Sequence, residues 1–186
     1  MKVIELGITV LSSSIICTGI VLYLRSDKTA YTRGNVSLST MPNSESWQVK
    51  SVHDGDTIKA IKDGNVQSFR LCGIDAPEIS QPLGTESRDY LKSLIPVQKT
   101  VQISVIGTDR YNRKIGEVFL TGTNPEKFIN EEMTVKGMAY SYDRYKNCPN
   151  QIAMGNGEAI AKSKKIGIWS GSYEKPWDYR KSKRSK

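Results

Sequence analysis

The chain has 186 residues, a formal net charge of +8 at pH 7 and a single histidine, His53. This length provides for one domain of about 100–150 residues with additional segments, and the positive charge indicates an acidic partner such as nucleic acid or an anionic membrane surface. A single histidine excludes acid–base pairs of histidines and zinc sites built from several of them.

The N-terminal segment is the first distinct feature, because residues 6–24 contain no charged side chain. As a helix this run is about 28 Å long, close to the hydrocarbon thickness of a bilayer. Lys2 provides a short basic start, but no small-residue cleavage site follows Leu24. We therefore interpret residues 1–25 as a membrane anchor, with a cleaved signal segment as the alternative, and the Ser-, Thr- and Asn-rich residues 26–46 as a polar linker.

The remaining sequence predicts a domain of mixed strands and helices. Alternating apolar residues and turn signals predict five strands, at residues 47–52, 57–61, 67–74, 101–106 and 115–120. Apolar stripes and helix-ending residues predict three helices, at 85–95, 128–136 and 153–165. These elements alone indicate an α+β fold with a small barrel or a sandwich.

Two acidic clusters frame the stretch from residue 53 to residue 78. The first contains Asp56 and the second contains Asp75 and Glu78, while Arg70 lies between them in an apolar run. A hairpin through the Asp-Gly pair at 63–64 brings the clusters together if the sheet curls into a closed barrel. Taken singly, each acidic residue is more typical of a turn. Converging carboxylates beside an arginine, however, indicate a cation site next to an anion site.

Four motifs, GDTIKA, FRLCGIDAPE, DRYNRK and GMAYSYDRY, together resemble the staphylococcal nuclease (thermonuclease) family in order and spacing. The resemblance covers about residues 47 to 169. It implies that residues 47–172 form a five-stranded OB-type β-barrel with three helices, preceded here by the N-terminal hydrophobic helix. It also implies a metal-dependent endonuclease that hydrolyses DNA and RNA and leaves 3′-phosphate ends. A non-catalytic OB-type nucleic-acid-binding module is the alternative, although all of the expected acidic and arginine residues are present.

The resemblance assigns a role to each residue of the expected site. Asp56, Asp75 and the carbonyl of Ala76 are expected to hold Ca²⁺, with Mn²⁺ or Mg²⁺ as alternatives. Arg70 and Arg113 are expected to clamp the phosphate, because a guanidinium donates two hydrogen bonds where a lysine cannot. The other expected residues are Glu78, which orients or deprotonates the attacking water, and the substrate-binding Arg110, Tyr111 and Tyr145.

Some positions depart from the family pattern. Ala76 replaces a threonine, which a main-chain ligand tolerates, and Asn112 replaces a glycine, which matters little because Asn also accepts left-handed backbone. Asp143 stands where a pocket tyrosine is expected, so base stacking is weaker or differently distributed. Tyr140, Tyr142 and Tyr145 are explained equally well by packing.

The family fold brings Cys72 near Cys148, and we expect a disulfide between them, with two free thiols as the alternative. A disulfide indicates an oxidising compartment, whereas the basic residues that follow the N-terminal segment favour a cytoplasmic domain. We expect a membrane-anchored or secreted protein with its nuclease domain outside the cytoplasm, and a monomer. Residues 173–186 form a basic tail that either binds phosphate or is simply solvated.

Overall fold

The computed structural model describes residues 43–123, 125–144 and 147–185. The predicted hydrophobic helix, most of the linker and Tyr145 lie outside these residues. Within the described ranges, no helix is both long and apolar enough to cross a membrane.

The described residues form eight strands and four α-helices. The strands are β1 (Ser44–Val52), β2 (Thr57–Lys62), β3 (Asn65–Leu71), β4 (Ile74–Asp75), β5 (Thr100–Thr108), β6 (Lys114–Leu120), β7 (Lys127–Phe128) and β8 (Tyr140–Ser141). The helices are α1 (Gly84–Leu94), α2 (Ile129–Val135), α3 (Gln151–Lys164) and α4 (Pro176–Arg184), with a 3₁₀ turn at Gly167–Trp169 between the last two. The three predicted helices and four of the five predicted strands appear with ends that shift by a few residues, and residues 67–74 are divided between β3 and β4.

A closed barrel forms because β1, β2, β3, β6 and β5 pair in a ring. All neighbours are antiparallel except β3 and β6, whose parallel pairing closes the ring at Arg70 opposite Ile115. Asp63 and Gly64 join β2 to β3 with positive φ angles of 50° and 78°, as a two-residue hairpin requires. The resulting register sets Thr57 opposite Arg70 and so brings the end of β2 that carries Asp56 beside the arginine. The prediction of a five-stranded OB-type barrel is confirmed.

The prediction of one strand over residues 67–74 is wrong. β3 ends at Leu71, Gly73 takes a left-handed conformation with φ 72°, and the chain resumes as β4, which pairs with β8 outside the barrel. A side chain at Gly73 would also collide with Met154. This break redirects the chain so that Asp75 does not continue along the barrel wall.

Buried polar bonds fix the end of β3 to its neighbours. The Asn130 side chain donates to the carbonyl of Cys72 (2.8 Å) and accepts from the backbone N–H of Val118 (3.0 Å), and Asn130 is fully buried. Cys72 and Cys148 form a disulfide with Cα atoms 5.9 Å apart. The strand that carries Arg70 is therefore held at its end from two sides.

The C-terminal stretch differs from an extended, solvated tail, because residues 176–184 form α4 and this helix contacts the domain. Trp177 stacks on Tyr142 with ring centroids 5.0 Å apart. The hydroxyls of Tyr179 and Ser80 hydrogen-bond at 2.8 Å. Proline at the first turn favours a helix start here, since its missing N–H would have no helical partner in any case.

Candidate active site

Arg70 joins the two predicted metal ligands. Its Nη1 donates to Asp56 Oδ2 at 2.7 Å and its Nη2 donates to Asp75 Oδ1 at 2.8 Å. Asp56 and Arg70 are each 5% exposed, and Asp75 is fully buried. The structure therefore brings together the two carboxylates and the arginine that the sequence placed around one hairpin.

Asp56 accepts hydrogen bonds from several groups of this cluster. Its Oδ2 also accepts from the backbone N–H of Ala76 at 2.8 Å, and its Oδ1 accepts from the Thr57 hydroxyl at 3.0 Å. Burial raises the pKa of Asp56 to about 7, although the Arg70 charge and the Ala76 bond oppose the rise. Burial likewise raises the pKa of Asp75, against hydrogen bonds and charges from its arginine neighbours. Each buried carboxylate would be stabilised in its charged form by a further cation.

Arg113 lies on the loop between β5 and β6, and Asp109 holds it in place. The Asp109 side chain accepts from the backbone N–H groups of Tyr111 (2.9 Å) and Arg113 (3.0 Å), as well as from Arg113 Nε (2.8 Å) and Nη2 (2.7 Å). Burial acts to raise the pKa of Asp109, but these bonds outweigh it and lower that pKa. Arg113 Nη1 lies 3.5 Å from the Thr57 hydroxyl. Asn112 has φ 61°, the left-handed backbone expected at this position.

The remaining expected substrate-binding residues lie on the same loop or outside the described chain. Arg110 stacks on Tyr111, 4.8 Å from the ring centroid, and donates to its hydroxyl at 2.7 Å. Tyr111 is 63% exposed, which leaves most of its surface accessible to a ligand. Tyr145 is outside the described residues. Tyr142 lines the cleft, whereas Tyr140 is buried and packs on Trp169 and Trp177.

An open cleft of about 620 Å³ connects these groups. Four carboxylates and six arginines line it: Asp54, Asp56, Glu78, Asp109, Arg70, Arg110, Arg113, Arg144, Arg180 and Arg184. The excess of guanidinium groups makes the cleft suitable for a polyanion, and the carboxylates restrict where a phosphate is accommodated.

Sequence reasoning missed the contribution of α4 to this cleft. Trp177, Arg180 and Arg184 all line it, and their spacing of three and four residues places them on one helix face. Arg180 donates to both oxygens of Asp75, at 3.1 and 2.6 Å, and to Glu78 Oε1 at 2.8 Å. The signal was present in the sequence, because Pro176 marks a helix start before this regular spacing.

The carboxylates fit a hard divalent cation in chemistry, since Asp56, Asp75 and Glu78 supply only oxygen donors. In their present arrangement the arginines lie between them, and the described residues contain no ready-made cluster of three His, Cys, Asp or Glu ligands. Arg70 separates Asp56 from Asp75, and Arg180 separates Asp75 from Glu78.

The fold and the site define an OB-type barrel protein with an acidic cluster and several arginines in one cleft. The family described as "Staphylococcal nuclease homologue" matches residues 68–171, and the chain belongs to this family.

Curated relatives extend this match. Over 118 residues the chain is 38% identical to an uncharacterized 38.1 kDa protein of Capnoides sempervirens, covering 63% of this chain and 32% of that protein. It is 37% identical over 117 residues to the staphylococcal-like nuclease CAN1 of Arabidopsis thaliana, covering 62% of this chain and 34% of the relative. An uncharacterized endonuclease of Escherichia coli O157:H7 is 36% identical over 138 residues, which cover 72% of this chain and 85% of that protein. The chain thus matches about a third of the plant relatives' length and most of the bacterial one.

Proposed function

We propose that this chain is a metal-dependent endonuclease that hydrolyses phosphodiester bonds of DNA and RNA, uses Ca²⁺ and leaves 3′-phosphate ends. The observation that carries the proposal is the arrangement of Asp56, Arg70 and Arg113 around one cleft, with the buried Asp75 bonded to Arg70 beside them. Relatives named as nucleases and endonucleases support it.

The metal would be held by Asp56 and Asp75, with the Ala76 carbonyl as an expected main-chain ligand. A bound divalent cation supplies Lewis-acid neutralisation of a phosphate oxygen. The protein's own contribution is to gather buried carboxylates that favour such a charge, as the raised pKa of Asp56 indicates.

Arg113 is suited to stabilise charge that develops on the phosphate in the transition state. Asp109 holds two of its guanidinium nitrogens, so the group is already oriented before substrate binds. Its Nη1 is directed toward the end of β2, next to Asp56, and lies 3.5 Å from the Thr57 hydroxyl. A preorganised donor of this kind typically contributes about 10²–10³ in rate. Arg70 bonds to both carboxylates and contributes its charge to the same cleft.

Glu78 is the residue that we expect to act on water. Its side chain is 34% exposed and lines the cleft, while its backbone N–H is fixed by the Gln81 side chain at 2.9 Å. A carboxylate in this position accepts a proton from water or orients the water for in-line attack. No covalent intermediate is needed in this scheme.

Digestion of plasmid DNA and of RNA, with Ca²⁺ or with EDTA, tests the proposal. We expect cleavage only with the metal, a loss of about 10²–10³ in rate for Arg113→Lys, and a comparable loss for Glu78→Gln. Glu86→Gln, an exposed position on α1, is the matched control for loss of a carboxylate and should cleave as wild type does. DNA ends that a polymerase extends only after phosphatase treatment would establish 3′-phosphates. Binding without cleavage in any divalent metal would leave only the nucleic-acid-binding module.

The disulfide supports a location outside the cytoplasm, with residues 1–25 as the anchor or signal segment. Intact mass before and after reduction of protein isolated without added oxidant tests this part. If the Cys72–Cys148 disulfide is present, reduction increases the mass of the protein by two hydrogen atoms. An unchanged mass would remove the argument for export and leave the proposed hydrolysis unaffected.

A further inference from the structure

Arg180 makes close ionic contacts in the site, and it comes from the last helix of the described chain. Its Nη2 lies 2.6 Å from Asp75 Oδ2, and its Nη1 lies 3.1 Å from Asp75 Oδ1 and 2.8 Å from Glu78 Oε1. Arg70 Nη2 also donates to Asp75 Oδ1. Both oxygens of Asp75 and one oxygen of Glu78 are therefore committed to guanidinium groups.

Contacts between α4 and the rest of the domain fix the position of Arg180. Trp177, one turn earlier on α4, stacks on Tyr142, and Tyr179 bonds to Ser80 on the loop that follows Glu78. Gln81 links that loop to the chain before α4, because its side chain accepts from the N–H of Glu78 and donates to the carbonyl of Glu174, both at 2.9 Å. The loop of Glu78 and helix α4 are thus connected by several independent contacts.

A divalent cation and Arg180 require the same oxygens. Oxygen ligands lie about 2.3–2.6 Å from Ca²⁺, so a cation bound by Asp75 would lie within a few ångströms of the guanidinium that now bonds both Asp75 oxygens. Two cations held this close together by the same buried oxygens repel each other, so charge and space both favour an exchange of one cation for the other.

We propose that Arg180 competes with the divalent cation for Asp75 and Glu78, so that the docking of α4 determines the metal affinity of the site. The inference rests on the metal site of the proposed function. Metal binding displaces the guanidinium from the two carboxylates, and α4 loses one of its contacts with the domain. The side chain is already 35% exposed and lines the cleft, so its release requires no rearrangement of the barrel.

Calorimetric titration with Ca²⁺, in the absence of nucleic acid, tests the competition. We expect Arg180→Gln to bind Ca²⁺ about tenfold or more tightly than wild type, because the variant no longer has to break charge-assisted bonds to admit the metal. Lys181→Gln is the matched control: it removes the same charge from the next position of α4, on an exposed side chain, and should shift the affinity little. Equal or weaker binding by Arg180→Gln, or no Ca²⁺ binding to either protein, would overturn the inference.

Hydrogen exchange of the wild-type protein provides a second test that does not depend on the folding of a variant. We expect the amides of residues 177–184 to exchange faster in Ca²⁺ than in EDTA, while those of the barrel strands do not. Unchanged or slower exchange in α4 would contradict the displacement. The two proposals can be refuted separately. If Arg180→Gln binds Ca²⁺ more tightly and α4 exchanges faster in Ca²⁺, but the protein cuts no nucleic acid, only the proposed nuclease activity is refuted. If the protein cuts nucleic acid and Ca²⁺ leaves the exchange of α4 unchanged, only the competition between Arg180 and the cation is refuted.

Discussion

Replacing Asp56 by asparagine should change how the stability of the metal-free protein depends on pH. Burial holds the pKa of Asp56 at about 7 in the folded state, against an ordinary value of 3.8. The folded state therefore binds this proton more tightly than the unfolded state does. The stability that the proton provides is fully present below about pH 3.8 and is lost as the pH rises through about 7.

The size of the effect follows from the same values. At 1.36 kcal/mol for each pKa unit, Asp56 should lower the free energy of unfolding by roughly 3 kcal/mol between pH 4.5 and pH 8. Asparagine keeps the shape and an acceptor for Ala76 but cannot ionise. Like the protonated carboxyl, it is a neutral acceptor for Arg70, and its own contribution to stability does not change between the two pH values. The difference between the two pH values therefore isolates the ionisation of Asp56.

Urea unfolding in EDTA, followed by tryptophan fluorescence at pH 4.5 and pH 8, measures this difference. We expect Asp56→Asn to gain roughly 3 kcal/mol relative to wild type on going from the lower to the higher pH. Asp63→Asn, an exposed turn residue with the same chemical change, is the control and should follow wild type. If wild type and Asp56→Asn show parallel pH dependence, the carboxylate does not carry the electrostatic cost that its burial implies.

Three further changes test the framework of the site. Asn130→Ala should lower the free energy of unfolding by about 3 kcal/mol, measured in urea, because it leaves two buried backbone groups unpaired, whereas Asn65→Ala in the exposed hairpin should have little effect. Replacing Cys72 and Cys148 together by serine should cost about 2–4 kcal/mol by the same measurement, since the bond closes a long loop with a sequence separation of 76; a variant as stable as wild type would show that the crosslink is not formed in the purified protein. Gly84→Ala should cost more free energy of transition-state stabilisation, calculated from the cleavage rate, than free energy of unfolding, because its new methyl group meets the carbonyl of Glu78 and shifts that loop. Full activity in the digestion assay would contradict this.

Much of the barrel could be predicted from local sequence. The Asp63-Gly64 turn dictates a two-residue hairpin, and alternating apolar residues define β2 and β3, so Asp56 and Arg70 were expected near each other. The break at Gly73 was missed, because its left-handed backbone and its contact with Met154 depend on α3, a distant part of the chain.

The content of the cleft was only partly predictable. Arg70 was singled out because it lies between two acidic clusters in an apolar run, and Arg113 was identified through a family pattern, but neither signal gives the partners of these side chains. That Arg70 bridges Asp56 and Asp75, and that Asp109 holds Arg113, follow from side-chain packing in three dimensions. Arg180 was classed with the basic tail because a run of positive charge is usually solvated. Its contacts with Asp75 and Glu78 arise because α4 packs back onto the domain through Trp177.

The parallel pairing of β3 with β6 has a consequence for how the protein matures. The β2–β3 hairpin and the β5–β6 pair can each form from neighbours in sequence, whereas the pairing of Arg70 with Ile115 joins residues about 45 positions apart. Long-range pairing of this kind is the slow part of folding. Arg70 and Arg113 reach the same cleft only after that step, so a refolding chain should acquire hairpin structure before it acquires any ability to bind a phosphate.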